Sequence, residues 1–266
     1  MNDRRAFLKS LVKGLDPVTA PAPDEMWLER YSRQLVLPEW SEAAQRALAD
    51  ASVLVVGAGA LGSPVATYLA GAGVGRLGIV DHGDVELSNL HRQHLHFTPD
   101  VGVPKAHSAV AKLGFLNPEI VVDPYQAAFA PAMVEGQDLV VDCTDSFDAR
   151  YAVNAACCEA GVPLVEAGVV GMSGLLMAIR PGQTACYRCA FPAPPPEGAV
   201  PSCAQAGVLG PAAGVIGSLH ALEALKLLAG LPGVLTDAFL QVDLATLEFL
   251  RVSVRRRTEC PDCAGA

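Results

Sequence analysis

Residues 52–81 constrain this chain more than any other stretch. They open on an apolar, β-branched run, Val53-Leu54-Val55-Val56, and pass straight into Gly57-Ala58-Gly59-Ala60-Leu61-Gly62. A helical pattern follows over residues 64–72, and a second apolar run, Leu77-Gly78-Ile79-Val80, stops at Asp81. Short apolar runs bounded by turn residues read as strands buried on both faces, so the order is strand, tight turn, helix, parallel strand. In such a unit Gly57, Gly59 and Gly62 let the backbone approach a phosphate. The helix start then offers N–H groups, with Gly59 and Ala60 closest to hand. Asp81 follows Gly62 by 19 residues, the separation at which a dinucleotide fold keeps the acid that grips a ribose hydroxyl. The same glycine pattern can serve a purely structural turn, and it leaves the nucleotide's identity open.

The segment Ser88-Asn89-Leu90-His91-Arg92-Gln93 is polar and carries a fixed cation. A dehydrogenase has little use for Arg92 and Gln93 there, beyond contact with a 2′-phosphate. An enzyme that cuts ATP between its α- and β-phosphates does, because negative charge builds on those oxygens in the transition state. Lys105 opens a further helical pattern over residues 105–113, where it offers a compact charge to a phosphate; the plain alternative is a surface lysine.

These residues carry a resemblance. Gly-Ala-Gly-Ala-Leu-Gly, Asp81, Asn-Leu-His-Arg-Gln and Lys105 are similar in type and spacing to the MoeB/ThiF/HesA family, bacterial relatives of ubiquitin-activating enzymes. The likeness covers residues 27–263 and is closest to the MoeB side. It implies a Rossmann-like, doubly wound, mostly parallel α/β sheet that continues into an antiparallel half. It also implies adenylation, with ATP, of the C-terminal glycine carboxylate of a ubiquitin-like sulfur carrier ending in Gly-Gly, for molybdopterin, thiamine or thiolated-tRNA synthesis. By position, Ser88, Asn89, Arg92, Gln93 and Lys105 would hold the triphosphate and Asp145 would hold Mg²⁺. Arg30-Tyr31-Ser32-Arg33-Gln34 matches the family's R-Y-x-R-Q, whose second arginine enters the neighbouring subunit's site, so the resemblance gives Arg33 that role in a homodimer. Without the family, Arg30 and Arg33 read as a solvated basic helix face. Ser146 stands where the family usually has asparagine, a departure that bears on one nucleotide contact. Asp142 reads as a hydrogen-bonded structural acid, and Arg150 falls on the next helix as a weaker phosphate candidate.

Cysteine spacing carries its own signal. Of eight cysteines, Cys186 and Cys189 form one C-x-x-C pair, and Cys260 and Cys263 form another. Two such knuckles can complete a closed tetrahedral zinc site that clamps the C-terminus to the body. Cys203 precedes a long apolar segment, residues 208–228, read as a packed core helix. A helix N-terminus beside Cys203 would favour its thiolate for sulfur transfer or carrier capture; a small buried thiol is the alternative. Residues 236–254 alternate enough for a closing hairpin, and Arg255-Arg256-Arg257 reads as a solvated strand end or a contact for an acidic carrier.

The chain of 266 residues divides into an N-terminal extension and linker, residues 1–24, and a single ATP-binding domain, residues 25–266. Arg4-Arg5-Ala6-Phe7-Leu8-Lys9 mimics a twin-arginine export motif, but Lys13, Gly14, Asp16 and prolines interrupt what would be its apolar core, so a short amphipathic helix and a cytoplasmic protein are expected. A net charge of −9 argues against a broad nucleic-acid surface, which weighs against a tRNA-modifying adenylating dehydratase of the same fold. An NAD-dependent oxidoreductase remains a rival, since the turn and Asp81 would serve NAD equally. No sulfurtransferase-like segment is evident, so sulfur is expected from another protein, and no membrane span is expected.

Overall fold

The computed structural model describes residues 25–196 and 206–264. The expected helix and linker over residues 1–24, Cys203 and the end of the proline-rich loop lie outside the described residues.

The chain opens with α1 (Glu25–Leu35) and α2 (Glu42–Asp50). Ser41 caps α2 by accepting the Ala44 N–H at 3.0 Å. The glycine unit follows as β1 (Ser52–Val56), α3 (Gly62–Ala72) and β2 (Arg76–Val80). Next come α4 (Lys105–Leu116), β3 (Val121–Tyr125), β4 (Leu139–Asp142), α5 (Phe147–Ala160), β5 (Leu164–Val170) and β6 (Ser173–Ile179). A single turn, α6 (Tyr187–Ala190), then α7 (Gly210–Leu228) and the hairpin β7 (Ala238–Asp243) and β8 (Glu248–Ser253) complete the described chain.

The strands form one eight-stranded sheet among the described residues, in the order β3-β2-β1-β4-β5-β6-β7-β8. Pairing is parallel from β3 to β5 and antiparallel from β5 to β8, as expected. Helices cover both faces of the parallel half, which explains why Val53, Leu54, Val55 and Val56 are all buried with no alternation. One face packs α2, α3, α4 and α7 through Leu48, Leu69, Leu113 and Ile216. The other packs α5 and α6 through Val153, Leu164, Met177 and Ile179. Each such side chain stabilises the fold by about 1.5–3 kcal/mol relative to exposure. Pro124 lies in β3, an edge strand, where its missing N–H costs no central ladder bond.

α7 is apolar on most sides because it lies in the core between α3 and strands β5 and β6. Its buried polar groups are paired: His220 Nε2 meets Val165 O at 2.9 Å, and Glu223 accepts the Leu235 N–H at 2.7 Å. Among the described residues no helix is long and apolar enough to cross a membrane. The chain runs from β1 outward to β3, then returns to lay β4 on the other side of β1. A crevice therefore opens beyond the carboxyl ends of β1 and β4, where α/β sheets keep their ligands.

Candidate functional site

The crevice is a cavity of about 490 Å³. The glycine turn forms its rim, and steric contact shows why the turn needs its glycines. Gly57 has φ +100°, and a Cβ there would lie 2.8 Å from Cys143 O. A Cβ on Gly62 would lie 1.9 Å from Gly57 O. No side chain fits either place. Gly57 N–H donates to Val80 O at 2.7 Å, tying the turn to β2. The Asp81 carboxylate braces the turn as well: Oδ2 accepts the Ala58 N–H and Oδ1 the Gly83 N–H, both at 2.8 Å. The N–H groups of Gly59 and Ala60 have no partner among the described residues, the condition of a helix start that can receive an anion.

Gly57, Gly59, Ala60, Asp81, Arg92, Gln93, Lys105, Asp145 and Ser146 all line this cavity. Gly62, Ser88 and Asn89 do not. Gly62 closes the turn from behind, and Asn89 is buried, with Oδ1 accepting the Glu86 N–H at 3.1 Å. Ser88 supplies the carbonyl to which the Arg92 guanidinium donates at 2.9 Å. Those two residues therefore shape the loop that presents Arg92. Gln93 is 4% exposed, and its Oε1 has no hydrogen-bond partner among the described residues. A buried amide oxygen left unpaired at a cavity wall fits contact with a bound molecule.

On the opposite wall, Ser146 caps α5 by accepting the Ala149 N–H at 3.2 Å. Asp145 is exposed beside it, its carboxylate unpaired among the described residues. A single free carboxylate beside a cavity of this size is a donor set that suits magnesium carried by a triphosphate. Asp142 is structural, as expected: it is fully buried, and Oδ1 accepts the Thr144 N–H at 2.8 Å. Arg150 also borders the cavity, but its guanidinium is engaged with Glu166 Oε1 at 3.2 Å and donates to Thr144 O at 3.1 Å. Burial, and then the charge of Asp142, hold the Glu166 carboxyl well above the usual carboxylate range. His82, Ala127, Ala128, Phe129, Val169 and Val208 also line the walls without having been legible as site residues. They are mostly apolar and come from distant parts of the chain, Val169 from β5 and the others from the segments after β2 and β3 and before α7, so no chemical or periodic signal marks them.

Arg33 is exposed and does not line its own chain's cavity. Its neighbours explain the orientation. Tyr31 points inward, its hydroxyl accepting from Asn117 Nδ2 at 2.9 Å, and Gln34 donates to Gln45 Oε1 at 2.8 Å. With those two anchored in the body, Arg33 faces out. Arg30 is held 3.5 Å from Glu119.

The two C-x-x-C knuckles meet on the far side of α5. All four sulfurs lie within 4.8 Å of one another and all four residues are buried. Cys186–Cys189 is 3.8 Å, and Cys186–Cys260 and Cys189–Cys263 are each 3.5 Å. Tetrahedral zinc with bonds of about 2.3 Å would set sulfurs about 3.8 Å apart, so the four cysteines could hold that ion. Arg257 N–H donates to Cys189 Sγ at 3.3 Å, and Arg256 donates to Gly182 O at 2.6 Å and to Cys263 O. The arginine run is exposed, but two of its members brace the knuckles instead of being solvated throughout.

Fold and site together define a Rossmann-like α/β protein in which a phosphate-type glycine turn, three cations and two acids surround one cavity. The chain belongs to the ThiF family, whose model matches residues 31–262. It is 48% identical over 257 residues to a Sus scrofa protein named adenylyltransferase and sulfurtransferase MOCS3, covering 95% of this chain and 56% of that one. It is 46% identical over 245 residues to the sulfur carrier protein adenylyltransferase of Thermus thermophilus, covering 89% of this chain and 90% of that one. The crystal structure of E. coli MccB with MccA-N7isoASN has the same fold, with a TM-score of 0.80 and 24% identity over 88% of this chain and 74% of that one. This chain thus spans little more than half of the MOCS3 relative and nearly all of the Thermus one.

Proposed function

We propose that this protein adenylates the C-terminal glycine carboxylate of a ubiquitin-like sulfur carrier with ATP, releasing pyrophosphate. The observation that carries the reading is the convergence of Arg92, Lys105 and Asp145 on the cavity rimmed by the glycine turn. An oxidoreductase using NAD would need the turn and Asp81 but has no charge change for two cations and a free carboxylate to meet. The names of the Sus scrofa and Thermus thermophilus relatives support the same chemistry.

In this reading Asp81 keeps a lone pair on each oxygen for a ribose hydroxyl while bracing the turn. Gly59 and Ala60 turn their N–H groups to the phosphates, and Gln93 adds its amide. Arg92 and Lys105 neutralise charge as it grows. Magnesium bound with the triphosphate would supply further charge neutralisation, and Asp145 would hold it. The carrier's carboxylate oxygen attacks the α-phosphorus, a P–O bond forms, and the bond to the β-phosphate oxygen breaks. Alignment and electrostatics account for the acceleration, since the protein forms no covalent bond. Cys203 would act only in a later sulfur-transfer step, and its placement lies outside the described residues. Zinc at the four cysteines would be structural, because a closed thiolate set leaves no open position. The use of ATP makes the cytoplasm the expected setting.

Carrier-dependent exchange of labelled pyrophosphate into ATP tests the proposal. Exchange should require a carrier with an intact terminal glycine, and Arg92→Ala should slow it by about 100-fold or more. Absence of exchange with every sulfur carrier tried, or reduction of NAD by candidate alcohols, would overturn it.

A further inference from the structure

A buried histidine stands behind the glycine turn. His96 is 2% exposed, and its Nε2 lies 2.9 Å from the carbonyl oxygen of Ala58. A carbonyl can only accept, so Nε2 carries the proton. Nδ1 lies 2.9 Å from Ser108 Oγ on α4, and the Lys112 ammonium donates to that same oxygen at 3.1 Å. The serine hydroxyl accepts from Lys112 and gives its proton to Nδ1, which fixes the neutral Nε2–H tautomer. Lys112 is itself held by Asp100 at 2.5 Å. Burial keeps the ring below the usual histidine range, and the nearby Lys105 and Lys112 act in the same direction.

The Ala58 carbonyl is half of a peptide unit whose other half is the Gly59 N–H. The chain has no cis peptide among the described residues, so the two groups point in opposite directions across one rigid plane. Ala58 is buried and does not line the cavity, whereas Gly59 does. Holding the Ala58 oxygen inward on His96 therefore turns the Gly59 N–H outward, where it has no partner within the described chain. The Ala58 N–H is pinned by Asp81 at 2.8 Å, so both peptide planes flanking Ala58 are fixed. A turn of glycines and alanines has no side chain of its own to do this.

We infer that His96 is a positioning residue for nucleotide phosphates: it touches no ligand, and it aims the Gly59 N–H into the cavity by holding the other end of the same peptide. This rests on the cavity's reading as an ATP site. It predicts that His96 matters to the phosphates and not to the nucleoside. The test is a pair of binding titrations on the full chain, one with ATP and one with adenosine, for wild type and three variants. His96→Leu and His96→Asn, neither of which reaches Ala58 O with a donor, should bind ATP about tenfold more weakly or worse, with adenosine affinity unchanged. His96→Gln can place an amide N–H where Nε2–H sits and should keep wild-type preference for ATP. If His96→Leu does not fold, the contrast between the asparagine and glutamine variants decides alone. Unchanged ATP affinity in His96→Asn, or equal loss of ATP and adenosine in folded variants, would overturn the inference. Wild-type protein that binds ATP no better than adenosine would overturn the ATP reading itself, independently of any variant.

Discussion

Single buried groups set how this protein responds to pH. His220 is fully buried behind the cavity floor, with Nε2 on Val165 O and Nδ1 3.9 Å from Cys143 Sγ. Burial lowers its pKa to about 4. Below about pH 6.5 the unfolded chain takes up a proton on this residue that the folded chain refuses until about pH 4. Its effect is absent above the unfolded value and destabilises the fold as pH falls, by up to about 1.4 kcal/mol per pH unit. Glu166 carries the opposite sign, since its folded carboxyl keeps a proton that the unfolded one releases above 4.5. A single stability curve therefore mixes the two. The difference between wild type and His220→Gln isolates the histidine, and the variant should gain on wild type with each step down from pH 6.5 towards pH 4. Urea unfolding across that window measures this, and a pH-independent difference would sink it.

At the scale of elements, the turn before α3 and the cysteine clamp make contrasting demands. Gly62 opens α3 against the carbonyl of Gly57, so Gly62→Ala should destabilise the protein by about 3 kcal/mol or more. Gly71, in the last turn of the same helix, is exposed, and a Cβ there would meet nothing within 4 Å. Gly71→Ala should therefore stabilise by roughly 0.5 kcal/mol. Thermal melts of the two variants give the comparison, and similar effects would refute the steric account of the turn. Zinc at the four cysteines would tie α6 to the segment after β8, which otherwise has little apolar surface to hold it: β8 has exposed residues at all but one position. One zinc per chain should be found in freshly purified protein. Its removal by a chelator should lower the melting temperature by about 10 °C before it alters exchange activity. Metal-free protein with four free thiols and an unchanged melt would rule the site out.

The whole molecule raises the question of a second subunit. Arg33 faces away from its own cavity while Tyr31 and Gln34 hold its helix to the body. In the homodimer that the family resemblance implies, Arg33 would close the phosphate end of the partner's site, as a trans-acting arginine does in phosphoryl transfer. Arg33→Ala and Asp145→Ala chains, each inactive alone, should regain activity on mixing. One site of each mixed dimer would combine both intact residues, so up to about half of the activity should return. Activity that stays near zero after subunit exchange would place Arg33 in cis or outside the reaction.

Much of this protein is legible in its amino-acid sequence. The alternation of apolar runs with glycines and helical patterns dictates the parallel half, because a strand buried on both faces needs helices on both sides. The spacing from Gly62 to Asp81 and the two C-x-x-C pairs are local signals, and their chemistry follows from covalent geometry. Relations between distant segments are what the sequence leaves open. Ser88 and Asn89 hold the Arg92 loop from within, and Arg150, a weaker phosphate candidate by sequence, is held by Glu166, which only the pairing of β4 with β5 brings near. His96 passes for one polar residue among several until the fold sets it behind Ala58, 38 positions earlier in the chain. Short-range spacing is written in the sequence because backbone geometry is the same in every chain. Which side chain backs which turn depends on how the sheet twists and its helices pack, and those are settled only when all the elements meet.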